Sequence, residues 1–200
     1  MQTRQIHLIR HGRVENPDGI LYGRLSGFHL AESGVRSAEA RARAMVATGR
    51  RIDHLLSSPL ERALESARPF AEHFDLPIQI RDELIEASSH LEGGHYDVSL
   101  KILTKPEAWK FLFNPLRPSW GEPYAQVAKR MMSELRFAAD LPGTGDVVLV
   151  SHQLPIWMVH RAVHGQRLAH DPRRRRCALS SMTSITFDGA GFTELSYRED

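Results

Sequence analysis

The chain has 200 residues, of which 42% are hydrophobic and 25% charged, and its formal net charge is +2. These values are typical of a globular protein with a substantial core, and the near-neutral charge excludes a strong field that would attract nucleic acid or a membrane surface. The single cysteine, Cys177, excludes an internal disulfide, and no stretch approaches the ~20 apolar residues of a membrane span, so we expect a cytoplasmic protein without membrane or nucleic-acid partners.

Strand and helix patterns alternate along the chain. In chain order they predict a strand at 6–9, a loop at 13–30, a helix at 32–48, a strand at 53–57, a helix from Ser58, a strand at 78–80, a helix at 123–140, a strand at 147–150, a helix at 155–163, and strands near 182–187 and 192–197. Such alternation favours an α/β fold with a mostly parallel sheet covered by helices on both faces. No repeat or linker is evident, so a single domain over residues 1–200 is predicted.

The first two helices have apolar faces at helical spacing. In the first helix these positions are Val35, Ala38, Ala42, Met45 and Val46. In the second they are Leu60, Ala63, Leu64 and Ala67. Pro69 is expected to end or kink the second helix near Arg68, which would leave residues 70–74 as a separate short helix.

Histidines follow two of the predicted strands. Arg10-His11-Gly12 comes after the first strand, and Ser151-His152 comes after the strand at 147–150. Open α/β sheets bind ligands beyond the carboxyl ends of their strands, so a site is expected where these residues lie. Gly12 is expected to let the backbone turn sharply or approach a ligand closely. Two such histidines, with an arginine beside one, indicate a phosphoryl-transfer site.

The residue types fit that chemistry. A neutral imidazole can attack phosphorus because its unperturbed pKa is about 6.5, and neighbouring cations keep it unprotonated. A dianionic phosphate calls for planar donor forks, which Arg10 and Arg62 would supply. Arg62 would lie in the first turn of a helix, whose amide dipoles also favour an anion. His152 is placed like the first of these groups, and the amide of Gln153 is a further candidate donor.

Several blocks of the sequence occur in a familiar order. Residues 8–24 read Leu-Ile-Arg-His-Gly-Arg-Val-Glu-Asn-Pro-Asp-Gly-Ile-Leu-Tyr-Gly-Arg. They are followed by the blocks 30–34, 57–63, 82–86 with 92–93, and 150–152. Together these blocks resemble the histidine phosphatase superfamily, which includes phosphoglycerate mutases and many phosphatases. The resemblance implies a three-layer α/β/α sandwich with a mostly parallel central sheet.

The resemblance also implies roles for individual residues. His11 would be the nucleophile that forms a phosphohistidine, and Glu86 the general acid, with a pKa raised by burial or by a neighbouring acid such as Glu83. The phosphate would be bound by Arg10, Arg62, His152, Asn16 and Gln153. The implied enzyme is a phosphomonoesterase that needs no metal or cofactor and acts on a small phosphorylated metabolite. Arg13 and Gln153 depart from the family, in which many members have Glu or Gln at the first position and Gly at the second.

Alternatives remain open at this point. A mutase would use the same phosphohistidine, and a non-catalytic phosphate-ligand or protein-binding module could use the same scaffold. Arg10 and Arg62 could form surface ion pairs, and His11 and His152 could be structural. The acids that compete with Glu86 are Asp82, Glu83 and Glu92. Asn16 could act only by stabilising the loop before Pro17.

Four other features are interpreted as ordinary structure or left open. Cys177 is interpreted as an incidental thiol, and Arg173–Arg176 as a solvated loop. His160 and His164 share a helix face, but no third metal ligand is evident near them. The stretch with Trp109, Phe113, Arg117 and Trp120 has three open interpretations: a cover over the pocket, a small apolar cluster, or a homodimer contact.

Overall fold

The computed structural model describes residues 3–94 and 121–199. Within these ranges the strands are β1 Gln5–Arg10, β2 Ile52–Ser57, β3 Ile78–Ile80, β4 Asp146–Ser151, β5 Met182–Phe187 and β6 Phe192–Arg198. The helices of the described chain are α1 Glu32–Ala47, α2 Glu61–Phe74, α3 Tyr124–Asp140 and α4 Gln153–Val163. Short 3₁₀ turns occur at Asp82–Leu84 and Pro172–Arg174.

The six strands form one sheet in the order β3-β2-β4-β1-β5-β6. β3, β2, β4 and β1 pair in parallel, whereas β5 is antiparallel to both β1 and β6. The central strands are fully covered, so they read as apolar runs rather than as alternating patterns. The predicted α/β fold with a mostly parallel sheet is therefore confirmed.

Apolar side chains on the two faces of the sheet form two separate cores. Along β4, Val147 and Leu149 belong to the core that also contains the buried residues of α3 and α4. Val148 and Val150 belong to the other core, which contains Ala42 and Met45 of α1 and Ala63, Ala67 and Phe70 of α2. This alternation follows from the pleat of a strand, in which successive side chains point to opposite faces. The result is three layers, with the sheet between two pairs of helices.

One detail of the helix predictions was wrong, because residues 70–74 do not form a separate helix. α2 continues through Pro69 to Phe74, because Pro69 and Phe70 are buried and their packing outweighs the lost backbone hydrogen bond. In α1, Val35 and Val46 are 50% and 45% exposed. They lie off the stripe that faces the sheet, whose buried members are Gly34, Ala38, Arg41, Ala42 and Met45.

The aromatic stretch with Trp109, Phe113, Arg117 and Trp120 lies outside the described residues, so its three interpretations remain predictions. Among the helices of residues 3–94 and 121–199, none has both the length and the apolar character needed to cross a membrane.

Candidate active site

The topology brings the two strand-end histidines together. In the parallel pairing of β1 with β4, Arg10 lies opposite Ser151, so His11 and His152 leave the sheet side by side. The N–H of His11 donates to the carbonyl of Ser151 at 3.1 Å, and the two imidazole centroids are 5.1 Å apart. The carboxyl end of β2 joins the same edge, since the N–H of Ser58 donates to the carbonyl of Val150 at 3.0 Å.

His11 is buried in a state suited to nucleophilic attack. Its Nδ1 lies 2.8 Å from the carbonyl oxygen of Gly12. A carbonyl only accepts, so Nδ1 carries the proton and Nε2 is left with its lone pair. Burial lowers the pKa of His11 to about 3, and the positive charges of Arg10 and Arg62 act in the same direction. The imidazole is therefore neutral throughout the physiological pH range.

His152 is fully buried beside it, and burial likewise holds its pKa well below 6.5. Its Nε2 lies 2.7 Å from the hydroxyl oxygen of Ser58, which also accepts from the N–H of Leu60 at 3.4 Å. The Ser58 oxygen has two lone pairs, so it can accept from Leu60 and either donate to Nε2 or accept from it. Donation from Nδ1 of His152 to a substrate requires the tautomer that carries the proton on Nδ1. Among the described residues, Nδ1 of His152 has no hydrogen-bond partner.

Arg62 and Arg10 each present an unpartnered nitrogen at this edge. Arg62 is 0% exposed, its guanidinium donates to the carbonyls of Gly23 and Leu25, and it lies 4.7 Å from the ring centroid of Tyr22. Arg10 donates to the carbonyl of Cys177 at 2.6 Å. Both Nε atoms are buried without a partner in the described chain, and neither arginine forms an ion pair with a described acid. Ion pairing at the surface therefore does not account for these two arginines.

Glu86 approaches the same groups from the segment after β3. Arg24 donates to the backbone carbonyl of Glu86 at 2.6 Å, and the N–H of Ala87 donates to its Oε1 at 2.8 Å. Burial raises the pKa of the carboxyl, while the positive charges of Arg175, Arg10 and Arg62 oppose that rise. Of the neighbouring acids, Asp82 and Glu83 are exposed, and Glu83 is not among the causes of the shift.

The segment that carries His11 is held in place by contacts with α1 and α2. The N–H of Gly12 donates to the hydroxyl of Ser66 at 3.0 Å. A Cβ on Gly12 would lie 2.6 Å from the carbonyl oxygen of Gly34, and one on Gly34 would lie 2.2 Å from that of Arg13. The backbone at Gly12 therefore approaches the backbone of α1 closely. From the sequence we expected Gly12 to allow either a sharp turn or a close approach to a ligand.

The last two predicted phosphate ligands already have interactions within the protein. The side-chain amide of Asn16 donates to the carbonyl of Ile20 and accepts from its N–H, both at 2.9 Å, which stabilises the turn. Gln153 begins α4, and no side chain caps that helix at His152. The Oε1 of Gln153 accepts from Arg175 at 3.5 Å. Contact of either residue with substrate remains a prediction.

Four residues at this edge were not found from the sequence. Tyr22 packs on Arg62, Arg24 holds the backbone of Glu86, and Ser58 bonds His152. Arg175 was assigned to a solvated loop, but it turns inward, whereas its neighbours Arg173, Arg174 and Arg176 are exposed. A run of four identical residues gives no periodic signal that would single one of them out.

Two secondary interpretations changed or gained detail. Cys177 is buried, and desolvation raises the pKa of its thiol to about 11, which makes it a poor nucleophile. The structure does supply a third metal-ligating group beside His160 and His164, namely Glu194, with one ligand atom of each within 4.8 Å of the others. Glu194 already pairs with His160 at 2.6 Å and with Arg176 at 2.5 Å.

Comparisons with known proteins identify the family and the fold. The family model described as histidine phosphatase superfamily (branch 1) matches residues 6–200. The chain is 44% identical over 195 residues to Rv0525 of Mycobacterium tuberculosis, described as an uncharacterized protein, covering 98% of this chain and 96% of the relative. Phosphoserine phosphatase of Entamoeba histolytica, solved with 3-phosphoglyceric acid, superposes with a TM-score of 0.80 at 21% identity over 98% of each chain. The mycobacterial glucosyl-3-phosphoglycerate phosphatase Rv2419c, solved with VO3, gives 0.77 at 23% identity over 96% of this chain and 97% of that one.

Proposed function

Because the chain belongs to branch 1 of the histidine phosphatase superfamily, we propose that it is a metal-independent phosphomonoesterase that hydrolyses a small phosphorylated metabolite through a phosphohistidine on His11. One observation carries the proposal. The neutral imidazole of His11 is surrounded by three buried nitrogens that have no hydrogen-bond partner in the described chain: Arg10 Nε, Arg62 Nε and His152 Nδ1. Buried donors left unpaired cost about 1–3 kcal/mol each, and a bound phosphate removes that cost.

In the first step, Nε2 of His11 attacks the phosphorus as the bond from phosphorus to the ester oxygen breaks. Glu86 gives its proton to the departing oxygen, so the alcohol leaves neutral. Arg10, Arg62 and His152 donate to the equatorial oxygens, where charge accumulates in phosphoryl transfer. The carbonyl of Gly12 accepts from Nδ1 and stabilises the positive charge that the imidazole gains, since the two atoms lie 2.8 Å apart.

In the second step, water attacks the phosphohistidine and the nitrogen–phosphorus bond breaks. The Glu86 carboxylate, left by the first step, takes the proton of the water. Inorganic phosphate leaves, the electron pair returns to Nε2, and both side chains regain their starting states. The positions of the charged groups support this cycle, because Arg10 and Arg62 act electrostatically on both His11 and Glu86.

The relatives also support a phosphatase. The structural neighbours include a phosphoserine phosphatase and a glucosyl-3-phosphoglycerate phosphatase, both with a free phosphate ester in their named substrates. The donors that surround His11 are cationic or neutral side chains, which bind a phosphate dianion directly. Hydrolysis is therefore expected to continue in a strong chelator.

The test is hydrolysis of a panel of phosphomonoesters by wild type, His11→Ala and the control His164→Ala, which removes an exposed histidine from the far end of α4. Wild type and the control should release inorganic phosphate without isomerising the substrate, with and without chelator. His11→Ala should lose at least about a thousandfold in kcat/KM, since it removes the nucleophile. Full activity in His11→Ala, or activity that requires an added divalent metal, would contradict the proposal.

A further inference from the structure

Arg175 turns inward towards the proposed active site, but the proposed reaction gives it no role. It lies in the segment between the 3₁₀ turn Pro172–Arg174 and Cys177, whose carbonyl binds Arg10. Its charge is the first electrostatic influence on the pKa of Glu86, ahead of Arg10 and Arg62. Arg175 also reaches Gln153, the residue after His152, and the carbonyl of Cys177, two residues further along, binds Arg10, so Arg175 lies beside the phosphate-binding groups. Since Glu86 protonates the leaving oxygen in the proposed reaction, a charge that acts on Glu86 also acts on the leaving group.

Arg175 keeps its positive charge unneutralised. Its Nε donates to Nε2 of His170 at 2.9 Å, and its Nη1 reaches Oε1 of Gln153 at 3.5 Å. His170 is neutral in this contact, because its Nδ1 proton is given to the carbonyl of Leu168 at 2.7 Å. No acid in residues 3–94 or 121–199 forms an ion pair with Arg175, whereas Arg173 pairs with Asp171 and Arg176 with Glu194.

The charges at the site can be compared with those of a substrate. Three guanidinium groups act on the Glu86 carboxyl, those of Arg175, Arg10 and Arg62. Arg10 and Arg62 would bind the phosphomonoester dianion, and Arg62 is also influenced by Glu61 and Glu92. The imidazoles of His11 and His152 are neutral, so Arg175 is the guanidinium of the three that neither the phosphate nor a described acid pairs with. One half-buried positive charge is left beside the phosphate-binding groups, and it acts on the leaving group. An anionic group there would gain charge-assisted hydrogen bonds from a guanidinium held in place by His170 and Gln153.

From this arrangement we propose that the substrate carries a second anion, a carboxylate or a further phosphate, on its leaving group, and that Arg175 binds it. This inference rests on the proposed function and narrows its substrate class. Arg175 is then a specificity-determining residue that touches the substrate away from the reacting phosphorus.

Two matched substrate pairs test the proposal. 3-Phosphoglycerate and glycerol 3-phosphate differ by a carboxylate against a hydroxymethyl group, and fructose 1,6-bisphosphate and fructose 6-phosphate differ by a second phosphate. The quantity measured is the ratio of kcat/KM within each pair. Any effect of Arg175 on Glu86 acts on both members and cancels in that ratio. The pair that shows the preference identifies the anion as carboxylate or phosphate.

The wild type should favour the anionic member of one pair by about tenfold to a hundredfold, which is the contribution of a charge-assisted contact. Arg175→Gln should abolish the preference, Arg175→Lys should retain part of it, and the exposed control Arg174→Gln should retain all of it. Thermal unfolding of each variant verifies that it is folded. A wild type with no preference in either pair, or a preference that survives in Arg175→Gln, overturns the inference while leaving the phosphatase proposal intact. Absence of any phosphomonoester hydrolysis by wild type overturns both.

Discussion

Burial controls the protonation of the site residues, and it acts in opposite directions on the two kinds of group. It lowers the pKa of the imidazoles of His11 and His152 and raises the pKa of the Glu86 carboxyl. Since burial disfavours whichever form is charged, all three groups are pushed towards their neutral forms. Those are the forms that the first step of the proposed reaction requires. The arginines remain charged, so the positive field is directed at the substrate rather than neutralised by a nearby carboxylate.

Glu86→Gln tests the role of the acid. The protonated carboxyl is the active form in the first step, and it is lost as pH rises through a pKa that lies above the ordinary 4.5. For glycerol 3-phosphate, kcat/KM of wild type should therefore fall on the alkaline side, and the variant should lose this dependence together with about a hundredfold or more in rate. For p-nitrophenyl phosphate, kcat/KM of Glu86→Gln should fall much less, because the nitrophenolate leaving group departs without a proton.

The exposed neighbour provides the control for that variant. Glu83→Gln should behave as wild type with both substrates, and comparing variants on the same substrate cancels the titration of the substrate itself. Equal losses of kcat/KM on the two substrates in Glu86→Gln would show that this residue does not protonate the leaving group.

At the scale of single residues, the sequence predicted the groups that the structure brings together at the carboxyl ends of the strands, but not the residues that hold them in place. Arg10, His11, Arg62, Glu86 and His152 have distinctive residue types in distinctive blocks. Ser58 and Arg24 act through a hydroxyl and a guanidinium whose partners are far away in the chain. Such pairings depend on where the loops fold back, and neither composition nor periodicity contains that information.

Among the elements, the junction between the first loop and α1 controls the position of His11. Gly34 lies in the first turn of α1 with no space for a side chain, because a Cβ there would be 2.2 Å from the carbonyl oxygen and 2.7 Å from the amide nitrogen of Arg13. Backbone atoms cannot give way as a flexible side chain can. The loop must therefore move if Gly34 is enlarged, and Gly12 and His11 move with it.

Gly34→Ala should destabilise the fold by about 1–3 kcal/mol, the usual cost of overpacking, and should lower kcat/KM by about a hundredfold through displacement of His11. Unfolding by urea and steady-state kinetics measure the two effects. The control is Gly191→Ala, since a Cβ at Gly191 meets nothing within 4 Å. Wild-type kinetics in Gly34→Ala would show that the contact does not position the nucleophile.

The sequence predicted the order of elements well and some of their limits poorly. Strand β4 was recognisable because Val147–Val150 form an uninterrupted apolar run, and β1 because Ile6, Leu8 and Ile9 form a run broken only by His7. The course of α2 beyond Pro69 was not, because a proline breaks the local hydrogen bonding while the packing of Phe70 is a tertiary effect. The order of the strands in the sheet likewise follows from long-range pairing.

At the scale of the whole molecule, the polar groups at the two ends of the parallel strands have different roles. The carboxyl edge has the unpartnered donors of the site. At the amino edge, Asp146 is a buried carboxylate that accepts from Arg50, from the N–H of Gln5 at 2.7 Å and from His7 at 3.1 Å. Hydrogen bonds from Arg50, His7 and Gln5 outweigh the cost of burial and hold the pKa of Asp146 far below its ordinary value. Polar groups at this edge therefore contribute to stability.

Asp146→Asn should lower the free energy of unfolding at neutral pH by about 3 kcal/mol, because it removes the buried carboxylate charge that pairs with Arg50. A depressed pKa in the folded state means that the stabilisation is present above the unfolded pKa of about 3.9 and is lost as pH falls below it. Wild type should therefore lose stability in acid more steeply than the variant, as measured by urea unfolding between about pH 2 and 7.

The matched control is Asp140→Asn, which changes an exposed carboxyl at the end of α3 and should alter stability by less than about 0.5 kcal/mol. Activity of Asp146→Asn below its unfolding temperature should equal that of wild type, since the site lies at the other edge. A parallel loss of kcat/KM would show that the two edges are coupled.

The most direct measurement is the mass of the enzyme denatured in alkali during turnover of p-nitrophenyl phosphate, followed by fragmentation to locate the modification. One phosphoryl group on His11 is predicted, stable in alkali, lost in acid and absent from His11→Ala. Continued hydrolysis with an unmodified His11, or with the phosphoryl group on another residue, would contradict the central claim that His11 is the nucleophile.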